Sequence, residues 1–364
     1  MAAISLCMIV KNEEEVLARC LDSVADLVDE IVIVDTGSSD KTKQIAARYT
    51  QNLYDFVWTD DFAAARNFSF SKASMAYCMW MDADDVLEPQ EREKFLSLKA
   101  TLDSATDVVM MKYNTAFDEG GKPVFSYYRE RWLKNSPALR WVGQVHEVVP
   151  PCGNIHYADI ALSHKKLRAP DPDRNLKIYQ KLLAENQVLE PRQQYYYGRE
   201  LYYHCAYADA AAALEAFLDM PAGWTENKIE ACALCADCCQ KLGQEARALQ
   251  TLFRSFALDV PRAEICCDIG SCFFARQNYR LAAYWYLTAT KCERDDTRGG
   301  FIRPDCYDYI PFLQLCVCCD KLGDPESARA YNDKAGACKP DSQAYLFNKR
   351  YFETQNPLKN GPQA

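Results

Sequence analysis

Hydrophobic and polar positions follow two different periodicities along this chain of 364 residues. In the first hundred residues, short apolar runs typical of strands alternate with segments of helical periodicity. The predicted strands are Ile4–Val10, Glu30–Thr36, Asn52–Trp58 and Tyr77–Asp82. The predicted helices lie at about 13–25, 40–48, 61–74 and 89–100. This alternation predicts a parallel sheet with helices on both faces.

The pattern changes after residue 107 and again after residue 170. Residues 107–164 read as strand-like segments around a turn at 119–121, which predicts antiparallel additions to the sheet. After a break at residues 169–172, the remaining segments have helical periodicity. Small residues recur there at steps of 35, 35 and 45, at positions Ala213, Ala248, Ala283 and Ala328. A period near 34 residues resembles the tetratricopeptide repeat, whose paired helices approach each other closely.

These patterns predict two domains and a tail. An α/β domain with a Rossmann-like mixed sheet spans residues 1–168, and an all-α, tetratricopeptide-like repeat domain spans residues 172–353. Residues 354–364 are predicted to form a flexible tail. Two domains also agree with the length, which exceeds the usual size of a single domain.

Composition narrows the classes of function. The net charge of −9 argues against a nucleic-acid partner, because phosphate affinity depends on clustered Lys and Arg. The chain shows neither a signal-peptide pattern nor an apolar run long enough to span a membrane, so a cytoplasmic location is expected. Fourteen of the 18 cysteines follow residue 200 at helical spacing, and we interpret them as small core residues rather than as a zinc site.

The first candidate site is an acidic run at the end of the fourth predicted strand. Asp82, Asp84 and Asp85 fall within four residues, at the carboxyl edge where open α/β sheets bind ligands. Carboxylates this close repel one another unless a cation joins them, and Mg²⁺ or Mn²⁺ prefers such oxygen ligands. The alternative is a solvated acidic turn that caps the next helix, which requires only one Asp.

A second acidic segment, from Asp35 to Asp40, follows the second predicted strand. A carboxylate in this position can accept hydrogen bonds from the ribose or base of a nucleotide. The alternative is ordinary turn chemistry, because Asp, Ser and Gly are common in turns.

Together these segments resemble family-2 glycosyltransferases of the GT-A fold. The opening segment from Met8 to Glu14 is similar to the first strand and nucleotide loop of that family, and Asp60–Asn67 is similar to its Ala-Arg-Asn segment. The resemblance implies a nucleotide sugar as donor, UDP-linked in most members, and Mn²⁺ or Mg²⁺ as the metal. It implies that the metal is held by Asp84, with Asp82 at the donor ribose or diphosphate. The nucleotide contacts it implies are Val10, Asn12, Glu13, Asp35, Asp40 and Arg66.

The segments Arg131–Asn135 and Arg140–Glu147 are similar to the acceptor side of repeat-fused members. An inverting transfer needs a base for the acceptor proton, and Glu147 is the candidate, with His146 as its orienting partner or the alternate base. The alternative is that both side chains only complete the sheet by hydrogen bonds. His164 lies where related enzymes place a metal-bound histidine, so we predict it as a metal ligand together with Asp84 and Asp82.

The sequence therefore predicts an inverting glycosyltransferase with a peptide or protein acceptor bound partly by the repeats. The fusion resembles bacterial enzymes that glycosylate peptides, including sublancin-type S-glycosyltransferases. A glycan or lipid-linked acceptor remains an alternative, as does a scaffold with an inactive nucleotide-binding domain. The nucleophile (Ser, Thr, Cys or a glycan hydroxyl), the sugar and any homo-oligomer are left open.

Overall fold

The computed structural model describes residues 1–117, 120–167, 171–295, 298–300 and 302–354. The predicted tail lies outside these residues apart from Thr354, and so do Glu119 of the predicted turn and part of the predicted break at 169–172. The chain divides into two compact units, Met1–Val188 and Leu189–Ala364.

The first unit contains an eight-stranded mixed sheet with the strand order β3-β2-β1-β4-β7-β6-β8-β5. Its strands are β1 (Ile4–Val10), β2 (Glu30–Asp35), β3 (Leu53–Asp55), β4 (Tyr77–Trp80), β5 (Asp85–Leu87), β6 (Val108–Phe117), β7 (Pro123–Lys134) and β8 (Ile155–His164). Its helices are α1 (Leu17–Val24), α2 (Thr42–Ala46), α3 (Phe62–Lys72), α4 (Arg92–Thr101) and α5 (Arg174–Ala184). The predicted α/β alternation is confirmed.

The predicted antiparallel additions are only partly correct. Strands β1 to β4 are parallel neighbours, and β7 is antiparallel to both β4 and β6. Strand β8, however, runs parallel to β6. The reason is the long connection over residues 135–154, which returns the chain to the end of the sheet where β6 begins. Strand β5 closes the edge by antiparallel pairing with β8.

The central strands of the sheet are buried on both faces, because their alternate residues belong to two different clusters. Leu6 and Met8 of β1 belong to the larger cluster, which includes α1 and Phe95 of α4. Cys7 lies on the opposite face with Val32 and the residues of α3. Side chains on a strand point alternately to the two faces, so a continuous apolar run is what a doubly covered strand requires.

The unit boundary lies after Val188, beyond the predicted boundary at residues 168–172. Helix α5, which the sequence pattern assigned to the repeats, belongs to the first unit. Its Lys181 forms an ion pair with Asp60 (Nζ–Oδ2, 2.6 Å), and the guanidinium of Arg174 lies 4.7 Å from the ring centre of Phe62. These polar and aromatic contacts hold α5 against the segment that leads into α3.

The second unit is helical throughout its described residues. The helices are α6 (Pro191–Tyr203), α7 (Tyr207–Asp219), α8 (Thr225–Lys241), α9 (Glu245–Arg254), α10 (Ala263–Ala275), α11 (Tyr279–Ala289), α12 (Tyr309–Lys321), α13 (Pro325–Cys338) and α14 (Gln343–Thr354). They pack in successive pairs, as the repeat pattern predicts. No helix in the described part of the chain is long and apolar enough to cross a membrane.

Small residues allow these helix pairs to pack closely. Ala248 and Ala328 of the predicted repeat are fully buried, and Ala213 is nearly so. A Cβ added at Gly198 of α6 would lie 2.7 Å from the side chain of Leu214 in α7, so only hydrogen fits there. Many of the cysteines are buried between helices, and all eighteen are free thiols, which agrees with the packing role.

Candidate functional site

Strand β4 ends at Trp80, and the chain turns sharply through the acidic run before β5 begins at Asp85. The backbone N–H of Asp85 donates to the carbonyl of Asp82 (3.0 Å), which closes this turn. As a result the three carboxylates point to three different sets of partners. Asp82 contacts an arginine, Asp84 contacts a histidine, and Asp85 is fully buried.

Asp84, Asp85 and His164 bring their potential metal-binding atoms within 4.8 Å of one another. The pairing of β5 with β8 produces this group, because Asp85 and His164 are direct cross-strand partners. Nδ1 of His164 lies 3.2 Å from Oδ1 of Asp84 and 3.0 Å from Oδ1 of Asp85. The structure thus brings together two of the predicted metal ligands, Asp84 and His164. An oxygen and an imidazole ligand fit Mn²⁺ better than Mg²⁺.

Protons compete with a metal at this group. Burial by itself would lower the pKa of His164, but the hydrogen bonds and charges of Asp84 and Asp85 outweigh it and raise the pKa to about 9. In the absence of a metal, His164 therefore carries a proton at neutral pH. A cation that binds through Nδ1 must replace this proton.

Asp85 is a residue whose role the sequence did not reveal. Its Oδ1 accepts hydrogen bonds from the hydroxyl of Tyr113 (2.8 Å) and from Nδ1 of His164 (3.0 Å). Its Oδ2 accepts from Nη1 of Arg131 and from the backbone N–H of Asp82, both at 3.1 Å. Both oxygens are therefore engaged within the protein, and Asp85 orients the histidine rather than offering a free ligand.

Arg131 is the buried cation of this network. Its side chain is fully inaccessible and forms an ion pair with Asp85. The guanidinium lies 3.7 Å from the ring centre of Trp80 and 4.3 Å from that of Tyr113, so two aromatic faces enclose it. The sequence signal was an arginine inside the apolar end of β7, next to Trp132. Its partner could not be identified from the sequence, because Asp85 lies 46 residues earlier in the chain.

Arg66 joins two further predicted residues. Its Nη2 lies 2.8 Å from Oδ1 of Asp82, and its Nε donates to Oε1 of Glu147 at 2.7 Å. The guanidinium also lies 4.8 Å from the ring centre of Trp141. Burial alone would raise the pKa of Asp82, but the positive charge of Arg66 outweighs it and holds that pKa well below its usual range.

These contacts separate the two acidic residues of the predicted metal motif. Among the described residues, Asp82 is not part of the metal-suited group, because its carboxylate turns towards Arg66. Its assignment as a metal ligand therefore has no support from the geometry, and its contact with the donor stays a prediction. Glu147 is oriented by Arg66, and Nε2 of His146 lies 3.4 Å from the amide nitrogen of Asn175 in α5. The catalytic roles of Glu147 and His146 stay predictions.

The predicted nucleotide residue Asp35 ends β2 and is buried. Its Oδ1 accepts the backbone N–H groups of Gly37 (2.9 Å) and Ser38 (2.8 Å), which form the turn after the strand. Its Oδ2 is buried without a hydrogen-bond partner among the described atoms. A buried carboxylate oxygen in this state is costly unless a donor group reaches it, and a nucleoside offers such donors.

The loops after β1 and β2 are tied together by hydrogen bonds. The N–H of Asn12 donates to Oγ of Ser38, and Oδ1 of Asn12 accepts the N–H of Ser39. Asn12 adopts a left-handed backbone conformation with φ of 56°, which Asn tolerates better than most residues. The carbonyl of Val10 accepts the N–H of Thr36. Hydrogen bonds thus fix the two loops of the predicted nucleotide segment to each other.

Asp40 and Glu13 take part in the same bracing. Oδ2 of Asp40 accepts the N–H of Glu14 (3.1 Å), and its Oδ1 accepts the N–H of Thr42 (2.9 Å) at the start of α2. The N–H of Glu13 donates to Oγ1 of Thr42. Asp40 therefore shapes the loops, and direct contact of Asp40 or Glu13 with a nucleotide stays a prediction.

Comparison with known proteins places this site in a family context. Residues 5–152 match the model of Glycosyl transferase family 2. The chain is 38% identical over 150 residues to a TPR repeat-containing protein of Synechococcus elongatus, an alignment that covers 41% of this chain and 36% of the relative. It is 25% identical over 214 residues to the SPbeta prophage-derived glycosyltransferase SunS of Bacillus subtilis, with 54% of this chain and 48% of the relative covered.

A third relative is the lipopolysaccharide core biosynthesis glycosyltransferase LpsC of Rhizobium meliloti. It is 28% identical over 166 residues, which cover 43% of this chain and 58% of the relative. The chain thus spans between about a third and three fifths of the length of these relatives. The predicted resemblance is confirmed, and it lies in the first unit, where residues 5–152 match the family-2 model.

Proposed function

We propose that the protein is an inverting, metal-dependent glycosyltransferase that uses a nucleotide sugar, with UDP as the expected nucleotide. The observation that carries this proposal is the pairing of Asp84 with His164 next to the Arg66–Asp82–Glu147 cluster. A metal-suited pair beside a cation and two carboxylates meets the needs of a reaction that expels a diphosphate.

Each side chain has a role in this proposal. A divalent cation held by Asp84 and His164 would supply the positive charge that offsets the charge on the leaving diphosphate. Asp35 accepts a hydrogen bond from the nucleoside through its unpaired Oδ2. Asp82 lies beside the donor, where Arg66 keeps it ionised.

Glu147 takes the proton from the acceptor as the nucleophile attacks the anomeric carbon. Without substrate, its Oε1 is bound to Nε of Arg66. An incoming diphosphate competes for the same guanidinium, because Arg binds phosphate oxygens as readily as carboxylates. Donor binding therefore weakens the hold of Arg66 on Glu147 and leaves the carboxylate a better base.

A peptide or protein is the preferred acceptor, because helical repeats offer extended surfaces suited to polypeptide ligands. A glycan acceptor is the second candidate, favoured by the similarity to a relative whose name places it in lipopolysaccharide core biosynthesis. A non-catalytic scaffold is disfavoured, because such a protein has no need of the Asp84–His164 pair.

Hydrolysis of the donor tests the proposal without knowledge of the acceptor. Purified protein is incubated with UDP-, GDP- and dTDP-sugars, with Mn²⁺, with Mg²⁺ and with EDTA, and the released nucleoside diphosphate is measured. We expect slow, metal-dependent release from one donor class, together with thermal stabilisation by that donor. If no donor is hydrolysed and no donor stabilises the protein, the proposal is refuted in favour of the scaffold.

A further inference from the structure

The second unit contains a cavity of about 1040 Å³, which we name the α8–α10 groove. One wall is a single face of α8, where Glu226, Glu230, Ala233 and Asp237 follow one another at spacings of three and four residues. The facing wall includes Asp268 and other residues on one face of α10, and the described parts of the segment between α11 and α12 complete the lining. All of the lining residues belong to the second unit.

The α8–α10 groove carries an excess of negative charge. Among its described lining residues, seven carboxylates face five cationic side chains. Several of the cations already form ion pairs with carboxylates of the same lining. Arg262 pairs with Glu226, and Arg303 pairs with Asp268, both at 2.8 Å.

Two carboxylates of the groove lack such a partner. Glu230 accepts a hydrogen bond from the hydroxyl of Tyr195, and Asp237 accepts one from the hydroxyl of Tyr202 at 2.8 Å. Within the described part of the chain, neither forms an ion pair. Glu230 is partly buried, and this burial raises its pKa even though Arg199 and Tyr195 act in the opposite direction. A carboxylate withdrawn from water without a cation in ion-pair contact keeps part of the cost of burial, which a bound cation would remove.

The rest of the lining suits the stem of a long cationic side chain. Ile229 and Leu234 of α8, Ile265 of α10 and Val260 before it present apolar surface beside the carboxylates. Lys and Arg lay their methylene stems on such surface and keep the charged end at a polar group. The volume lies at the upper end of the range for small-molecule pockets, so the groove has room for several residues of a peptide.

We propose that the α8–α10 groove binds a basic segment of a polypeptide, with one Lys or Arg side chain ion-paired to Glu230 and a second to Asp237. Binding of this segment is independent of catalysis. Its identification as part of the acceptor rests on the proposed function. The proposal thus adds a sequence requirement, positive charge, to a peptide or protein substrate.

Fluorescence anisotropy tests the groove with defined probes. Three fluorescein-labelled peptides of ten residues, built from Gly, Ala and Ser, carry three Arg, three Gln or three Glu at the same positions. They are titrated with the full chain in the absence of metal and donor. We expect the Arg peptide to bind at least about tenfold more tightly than the Gln peptide, and the Glu peptide to bind least. Added salt should weaken the binding of the Arg peptide.

Isosteric variants locate the binding site. Glu230→Gln with Asp237→Asn removes both charges but keeps oxygen atoms that can accept from Tyr195 and Tyr202. We expect this double variant to bind the Arg peptide about tenfold more weakly. The matched control, Asp333→Asn with Glu353→Gln, removes two exposed charges outside the groove and should bind like the wild type.

The outcomes separate this proposal from the proposed function. Equal binding of the three peptides by the wild type would overturn it, as would wild-type affinity in the groove variant. The comparison among peptides uses only the wild type, so it tests the proposal even if the double variant fails to fold. Donor hydrolysis is measured on the same samples. If hydrolysis is absent while the Arg peptide binds, the glycosyltransferase assignment fails and the groove assignment stands.

Discussion

Two partly buried carboxylates, Asp82 in the first unit and Glu230 in the second, have pKa values that are shifted in opposite directions. Burial pushes the pKa of both upward. At Asp82 the charge of Arg66 overcomes burial and lowers the pKa, whereas at Glu230 the tyrosine hydroxyl and the more distant Arg199 do not, and the pKa rises. The first unit supplies the charge that compensates Asp82, whereas the second unit does not fully compensate the burial of Glu230.

This difference distinguishes two kinds of binding surface. The first unit encloses Arg131 and Asp85 completely, so their geometry does not depend on a ligand. Such preorganised charge is what a chemical step needs. In the α8–α10 groove, Glu230 and Asp237 are bonded to hydroxyl groups and form no ion pair within the described residues. Their arrangement suits recognition, which can tolerate variation in the ligand.

The largest expected effect concerns the metal-suited pair. Asp84→Ala should reduce metal-dependent donor hydrolysis by a factor of about 10³ or more, because it removes the ligand that would hold the charge at the leaving diphosphate. Mn²⁺ binding, followed by electron paramagnetic resonance, should weaken in parallel. Glu93→Gln, an exposed residue of α4, is the control in the same unit. If Glu230→Gln lowered hydrolysis as strongly as Asp84→Ala, the division of roles between the two regions would be refuted.

The next largest effect tests the internal compensation. Arg131→Met leaves the buried Asp85 with His164 as its charged partner and should lower the free energy of unfolding by about 3 kcal/mol, measured by urea denaturation. Arg92→Met provides the comparison, because its partner Asp26 is exposed and such pairs contribute about 1 kcal/mol or less. Similar losses in the two variants would show that burial does not distinguish them. The double variant Arg131→Met with Asp85→Asn should recover part of the loss.

A smaller effect appears in the pH dependence of Asp82. Its folded pKa lies below its unfolded value, so the charged form stabilises the fold above about pH 4, the ordinary pKa of Asp. This contribution is lost as the pH falls through the depressed pKa. Asp82→Asn should therefore be less stable than the wild type by about 1 kcal/mol at pH 7, and the difference should disappear in strong acid. A difference that stayed constant with pH would mean that the charge is not responsible.

The smallest effect has the opposite sign. The pKa of Glu230 is raised, so the wild-type fold loses stability as the pH rises through that value. Glu230→Gln carries no charge and should be more stable than the wild type at pH 7, by at most about 1 kcal/mol. The gain should vanish below about pH 4, where the carboxyl group is protonated in both states. Thermal denaturation at pH 4 and pH 7 measures it, and a destabilised variant at pH 7 would contradict the comparison.

Much of the fold follows from local patterns. The apolar run of β1 was predicted with both of its ends, and the small residues at Ala248 and Ala328 correctly indicated close helix pairs. The place of α5 was missed because helical periodicity shows that a segment is a helix and not which body it packs against. The direction of β8 was missed because a strand pattern carries no information about its neighbour.

The candidate site was predictable only where its residues lie in one segment. Asp84 could be recognised from the acidic run, and His164 from its place in a family resemblance. The link between them is Asp85, which meets His164 through strand pairing across 79 residues. The pairing of Arg66 with Glu147, 81 residues apart, likewise depends on the tertiary structure. Single-sequence patterns show which charged groups are present but do not show which of them form ion pairs with one another.

The pairing of Asp85 with His164 also limits how this sequence can change over time. Side chains alternate between the faces of a strand, so the insertion or loss of one residue between Leu162 and His164 would turn His164 away from the carboxylates. Length changes in descendants of this chain should therefore avoid the stretch of β8 that pairs with β5. Because side chains on this stretch point to the same face at every second residue, a length change of one residue there would separate His164 from Asp84 and Asp85.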